Sequence, residues 1–320
     1  MWMQEPARVH YSALPDYHSY DLAWLGPIAF PLYLALLVQA FVVKDMMSRR
    51  SSKPSVDVRT GATHSAHIPV HSVQSEIAAL HVPQVTTALI LAAETIFGVL
   101  CIIQCVHNYS SRAFVGGAGP CDTQALYSTY YIFAGMGLAT FGIAVGCYIR
   151  VHGDASMKFV VSTGVAVHAL ALVLASLPHF GLGAYLFAVD FCVADIEQPL
   201  FAALTIGVYA LCLLVILGSL AYERRHRAAA ASPPGALYVA AAWFAVAWLS
   251  VVHISLLWLV GGTSVYDSDR KTAYAWMGML THSNQLVVPI CFGFFWRRAP
   301  LALKPAAEGD SLKASMLNVA

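Results

Sequence analysis

Seven stretches of about 20 or more mostly apolar residues, each nearly free of charge, constrain this chain more than any other feature. They run roughly 23–43, 83–106, 125–149, 158–178, 199–222, 236–260 and 273–296. A helix of that length crosses the hydrocarbon core, where every backbone amide must find its partner within the protein because no water is there to take it. The expected fold is an all-α membrane protein, a bundle of seven transmembrane helices. Composition agrees: 11% of the residues are charged and the mean hydropathy is +0.65, against about 25% charged for a soluble domain. A cleaved signal peptide is not expected, because polar and acidic residues precede the first run and no basic region abuts it.

Basic residues orient such a bundle, since Lys and Arg are retained on the cytoplasmic side. With the N-terminus outside, the inner regions hold Lys44, Arg49, Arg50, Lys53 and Arg59, then Arg150 and Lys158, then Arg224, Arg225 and Arg227, and finally Arg297, Arg298, Lys304 and Lys313. Only Arg8, Arg112, Arg270 and Lys271 fall outside. The expected organisation is an extracellular tail over 1–22, a membrane domain over 23–298 and a cytoplasmic tail over 299–320. The longest connection, 45–82, is polar, rich in Ser and interrupted by Pro, and reads as an irregular cytoplasmic loop. His64, His67 and His71 within it lack nearby Cys and helical spacing, so solvated side chains are expected rather than a metal site.

Five cysteines (Cys101, Cys105, Cys147, Cys212, Cys291) lie in apolar segments and read as small packing residues. Cys121 and Cys192 flank the outer compartment, where a disulfide persists; two free loop thiols are the alternative. The sequon Asn108-Tyr109-Ser110 in the same region is a candidate glycosylation site.

These features resemble the rhodopsin-like (class A) G-protein-coupled receptors. LILAAE places Glu94 where the family carries an acid in its second helix, and Gln39-Ala40-Phe41-Val42 resembles the family's Asn-x-x-Val in the first. The resemblance implies a sodium ion and water network at Glu94; a hydrogen-bonded packing residue is the alternative reading. FAVAW, Phe244 to Trp248, has the spacing of the family's core transmission switch, with Ser250 in place of the usual Pro. A helix lacking that Pro should run straighter. HSNQLVVPICF resembles the family's Asn-Pro-x-x-Tyr end, with Asn284 upstream, Pro289 kept and Phe292 in place of Tyr. The run that follows, FFWRR, looks like a turn into a short membrane-surface helix. The outer segment 177–195 is similar to the lid of opsins and prostanoid receptors. His282 stands where opsins carry the retinal-linking Lys, so no covalent retinal cofactor is expected, although non-covalent retinoid binding stays open.

AVGCYIRV, 144–151, resembles the family's Ala-Val-acid-Arg-Tyr-x-x-Val when Gly146 and Cys147 replace the acid and Arg and Tyr148 is retained. Arg150 is then a neighbouring basic residue at the inner edge, and the ion-pair switch is missing.

No acid occurs between Ala125 and Ile149, so the carboxylate that pairs with an amine ligand is absent. The expected pocket lining is Tyr127, Tyr130, Tyr131, Trp248, His253, Trp276 and His282, suited to an apolar or weakly polar ligand. Cys147, Tyr148, Arg150, Arg224, Arg225, Arg227, Arg297 and Arg298 form the expected face for a heterotrimeric G protein or another cytoplasmic partner. The resemblance therefore implies an atypical receptor of the plasma membrane. A receptor-like binding partner or decoy that does not couple to G proteins is the alternative, and a small-solute transporter is less well supported, since no internal repeat is evident. No nucleophile–base spacing suggests an enzyme, and nothing suggests nucleic-acid binding.

Overall fold

In the computed structural model the described residues are 22–51, 70–111, 118–153, 155–188, 191–226, 235–261 and 268–296. They form seven long helices: α1 (Leu22–Ser51), α2 (Val70–Ser111), α3 (Ala118–His152), α4 (Met157–Ser176), α5 (Pro199–His226), α6 (Gly235–Gly261) and α7 (Ser268–Pro289). A two-stranded antiparallel hairpin of β1 (Tyr185–Ala188) and β2 (Phe191–Ala194) lies between α4 and α5. Among the described residues, five segments are long and apolar enough to cross a membrane, one in each of α2 to α6. The chain is an all-α multi-pass membrane protein.

α3 is the central helix. Of its apolar window 83% is buried, whereas only 22% of that in α4 is, and α3 packs on α2, α4, α5, α6 and β2. Its small residues permit this. A Cβ at Gly135 would stand 2.5 Å from the Trp248 ring, so only glycine lets α6 approach α3 there. α4 lies at the periphery and presents Phe159, Val165, Leu170, Leu172 and Val173 outward, as expected of a lipid-facing surface.

The connection expected over 45–82 is helical at both ends. α1 continues to Ser51 and α2 begins at Val70, so only residues 52–69 lie between them, outside the described residues. The reason is local: Gln, Glu, Ala and Leu dominate QSEIAAL, and these are good helix formers that need no apolar solvent. Pro83 sits within α2, although the apolar run was expected to begin there.

The hairpin is tied down at one end of the bundle. Cys121 and Cys192 form a disulfide, with Cα atoms 5.4 Å apart, that links the start of α3 to β2. Closing a loop of sequence separation 71 restricts the unfolded chain by about 4 kcal/mol in the chain-entropy description. The Cys192 amide donates to Gln124 Oε1 at 2.9 Å and the Ala194 amide to Thr129 Oγ1 at 2.8 Å, so α3 satisfies the exposed edge of β2. Tyr185 donates its hydroxyl to the Ala175 carbonyl of α4.

α6 runs without interruption through Ser250, whose hydroxyl bonds back to the Ala247 carbonyl. α7 ends at Pro289 and passes into a wide turn, Ile290–Trp296. Proline has no amide hydrogen, so the Gln285 carbonyl four residues earlier loses its helical donor. Gln39 Nε2 of α1 donates to that carbonyl at 3.3 Å. The surface helix expected after Trp296 lies outside the described residues.

Candidate functional site

Buried polar groups have to be paired, and the polar residues of α1, α2, α3 and α7 pair with one another in a single network. Tyr131 of α3 donates to Glu94 Oε2 of α2 at 2.7 Å, and Asn284 Nδ2 of α7 donates to the Tyr131 hydroxyl at 3.3 Å. Gln285 Nε2 donates to the Glu94 carbonyl at 2.9 Å. Thr95 donates to Gln39 Oε1 at 2.9 Å, which orients the Gln39 amide so that its nitrogen faces Gln285. Glu94, Tyr131, Asn284, Gln285 and Gln39 are all almost completely buried. Two acceptors, Asn284 Oδ1 and Gln285 Oε1, have no hydrogen-bond partner among the described residues. The structure thus brings Gln39, Glu94 and Asn284 together, and adds Tyr131, which was expected in the ligand pocket.

Next to the network is an aromatic cluster centred on Phe97. Its ring stacks on Tyr131 at 4.2 Å between centroids and meets Tyr127 edge-on at 5.9 Å and His282 at 5.2 Å. Trp248 also meets Tyr131, in a tilted contact with centroids 5.8 Å apart. His282 Nδ1 lies 2.6 Å from the Gly278 carbonyl, which only accepts, so Nδ1 carries the proton and Nε2 accepts from the Cys101 thiol at 3.0 Å. Four of the seven expected pocket residues (Tyr127, Tyr131, Trp248, His282) therefore converge.

The other three do not. The Tyr130 hydroxyl is 2.6 Å from His168 Nδ1, and His168 Nε2 bonds the Leu89 carbonyl, so Tyr130 faces α4 and joins α2, α3 and α4. His253 is exposed, because Val251, Val252, Ile254 and Ser255 take the inward face of α6. Trp276 is 49% exposed between the buried Ala275 and Met277. α6 is apolar on both faces, with Val246, Leu249 and Leu256 exposed, so helix packing and not aromatic content decides which side faces in.

Lower in the bundle, Phe244 is buried and stacks on Tyr209 with centroids 5.7 Å apart and planes 3° from parallel. Phe292 is buried against Ile90 and Gly142, and the Phe292 carbonyl accepts from Thr87. Pro289 marks the end of α7, as described above.

The end of the bundle remote from the hairpin carries one ion pair among the described residues. Arg150 Nε of α3 lies 3.0 Å from Glu223 Oε1 of α5, with the Glu223 side chain fully buried. Cys147 is buried one turn earlier, whereas Tyr148 is 47% exposed and its ring lies tilted against His152, with centroids 4.3 Å apart. His152 Nε2 is 3.0 Å from the Tyr222 hydroxyl. Arg224 and Arg225 are exposed. Arg227, Arg297 and Arg298 lie outside the described residues. Asn108 falls within α2, which extends to Ser111, and its side chain is outside the described set.

Sequence reasoning missed Glu223, Thr95, Gln285 as a bridge and the carboxylates of the hairpin end. The signal for Glu223 was present: it is the lone acid in AYERRHR at a helix end. At the hairpin end Tyr274 donates to Glu197 Oε1 at 3.2 Å, and Asp195 accepts from the Glu197 amide. Burial pushes the Asp195 carboxyl up from an ordinary 3.8 to about 6, and the neighbouring Glu197 adds to the rise while hydrogen bonds from Glu197 and Gln198 oppose it. Among the described residues no group of three His, Cys, Asp or Glu side chains could hold a metal ion. No family model matches this chain, and no curated protein matches it.

Proposed function

We propose that this protein is an atypical rhodopsin-like G-protein-coupled receptor of the plasma membrane, with seven spans, an extracellular N-terminus and a small apolar or weakly polar ligand. The observation that carries the reading is the network through Gln39, Glu94, Tyr131, Asn284 and Gln285, which couples four helices in the core of the bundle. Polar groups buried in a membrane domain are costly and favour arrangements in which helix position and hydrogen bonding change together. The cluster of Tyr127, Phe97, Tyr131, Trp248 and His282 is the ligand side of that network. A ligand seated there biases helix positions only by binding one arrangement more tightly than the other.

The donor set also suits a monovalent cation. Glu94 supplies a carboxylate, and the unpaired oxygens of Asn284 and Gln285 supply neutral donors. Such an ion, when bound, would add positive charge beside Glu94 and favour the closed packing of α2, α3 and α7.

A second reading, a receptor-shaped partner without G-protein coupling, draws on the inner face. Arg150 is held by a buried acid on its own side of the bundle, and Gly146 and Cys147 supply no charge. The two readings separate in a nucleotide-exchange panel over all G-protein classes, with and without lipid and retinoid ligands, on wild type and Gly146→Asp/Cys147→Arg. Exchange above background in wild type supports the receptor. Silence of both proteins on every G protein, together with stable cross-linking to another membrane protein, overturns it in favour of the second reading.

A further inference from the structure

A groove of about 790 Å³ opens on the outside of the bundle, toward the end that carries the Arg150–Glu223 pair. α3 is its floor, with Gly137, Ala144 and Val145, and α4 and α5 are its walls, with Phe159 and Val215. Both walls pack on α3 and leave the space between them facing the bilayer. The lining is mostly apolar, with the small hydroxyls of Thr140, Thr163 and Ser219 among its side chains, and Tyr148, Ser156 and Tyr222 stand at the mouth.

Among the described residues, the exposed charges that adjoin that mouth in sequence are basic. Exposed Lys158 stands in the first turn of α4, two residues from Ser156, and exposed Arg224 and Arg225 follow Tyr222 on α5. The acid nearest to them in sequence on α5, Glu223, is buried and engaged by Arg150, so it does not neutralise them. The first turn of α4 adds to this field: it holds no acid, and Ser156 at its cap makes no side-chain bond to the free amides. An apolar slot with a basic, hydroxyl-bearing mouth at the edge of a membrane domain is complementary to one class of molecule, an acyl chain carrying a negatively charged headgroup.

We propose that the α3–α4–α5 groove is a binding site for an anionic glycerophospholipid, with one acyl chain along Gly137, Ala144 and Gly218 and the phosphate at Lys158, Arg224 and Arg225. The site does not depend on the receptor reading. A protein that signals to no G protein would still hold the lipid, and a receptor could lack it.

Gly218 makes the slot testable. A Cβ there would meet nothing within 4 Å, so a larger side chain enters the groove without disturbing the packing of α5. The experiment is native mass spectrometry of the full-length protein in detergent, titrated in parallel with palmitoyl-oleoyl phosphatidylserine and the matching phosphatidylcholine. The wild type should retain phosphatidylserine preferentially. Neutralising Lys158→Gln, Arg224→Gln or Arg225→Gln should each reduce that preference about fivefold, the weight of one basic residue near an anionic lipid surface. Gly218→Leu should weaken retention of phosphatidylserine while the headgroup contacts stay intact, and Ser219→Leu, filling the same slot, serves as its counterpart should Gly218→Leu fail to fold. Equal retention of the two lipids by wild type overturns the proposal. So does unchanged retention after the groove is filled, which would mean a headgroup contact without a seated chain.

Discussion

Glu94 and Glu223 are both buried carboxylates, yet they are satisfied in opposite ways. Glu94, in the core of the bundle, takes its side-chain hydrogen bond from a phenol, and amides of α7 complete the surroundings. Glu223, near the basic end, takes a guanidinium. A network of neutral donors can be rearranged one bond at a time, since each bond is worth about 1 kcal/mol net. A buried ion pair cannot, because separating it strands a charge. The core is therefore the adaptable region and the α3–α5 contact the fixed one.

The sharpest way to break the comparison is to remove Arg150. Arg150→Met leaves Glu223 buried without its cation and should lower stability by about 3–5 kcal/mol, read as loss of the folded fraction in detergent thermal unfolding. Adding Glu223→Leu to it should recover most of the loss, since replacing both partners by apolar groups is often neutral. If the single and double variants unfold alike, the pair is not what fixes α3 to α5. In the core, Tyr131→Phe removes the donor to Glu94 and leaves that oxygen unsatisfied, at a cost of about 1–3 kcal/mol. Glu94→Gln keeps an oxygen acceptor for Tyr131 and should cost less than Tyr131→Phe in the same assay. A reversed order would show that the charge of Glu94, rather than its hydrogen bond, organises the core.

A third carboxylate extends the series to the hairpin end. Asp195 holds its proton to about 6 in the folded protein, whereas the unfolded chain releases it near 3.8. Between those values the folded state binds more protons than the unfolded one, so stability falls as pH rises from about 4 to about 6 and is level above that. Asp195→Asn should remove this slope, as measured by detergent unfolding midpoints over that range. This effect is the smallest of the series, because the site is partly open to solvent.

Much of this was legible in the chain itself. Apolar runs located the helices because the bilayer imposes a length on them, and the Cys121–Cys192 bridge followed from the only two thiols outside those runs. Gln39, Glu94 and Asn284 stood out as polar residues in apolar surroundings, and they meet. What composition could not convey was direction. Tyr130, His253 and Trp276 carry the right chemistry for a pocket but lie on other faces of their helices, a matter of rotation by a single residue position. The helical flank from Val70 to His81 was hidden for a different reason: its residues favour helix through backbone propensity without being apolar. Glu223 was obscured by its neighbours, since three basic residues around one acid read as a solvated cluster until α3 supplies Arg150.

Gln39 at the foot of α7 carries a mechanical consequence. Proline at 289 leaves the helix with a missing rung, and Gln39 of a different helix reaches the exposed carbonyl through a long contact. The chain beyond Pro289 packs on α6, α1 and α2, so a tilt there is felt by all three. α1 holds this end of the bundle at two points, Gln39 on the Gln285 carbonyl and Phe41 stacked on Phe294, and Gln39→Leu should loosen the link, read as a lower unfolding midpoint in detergent.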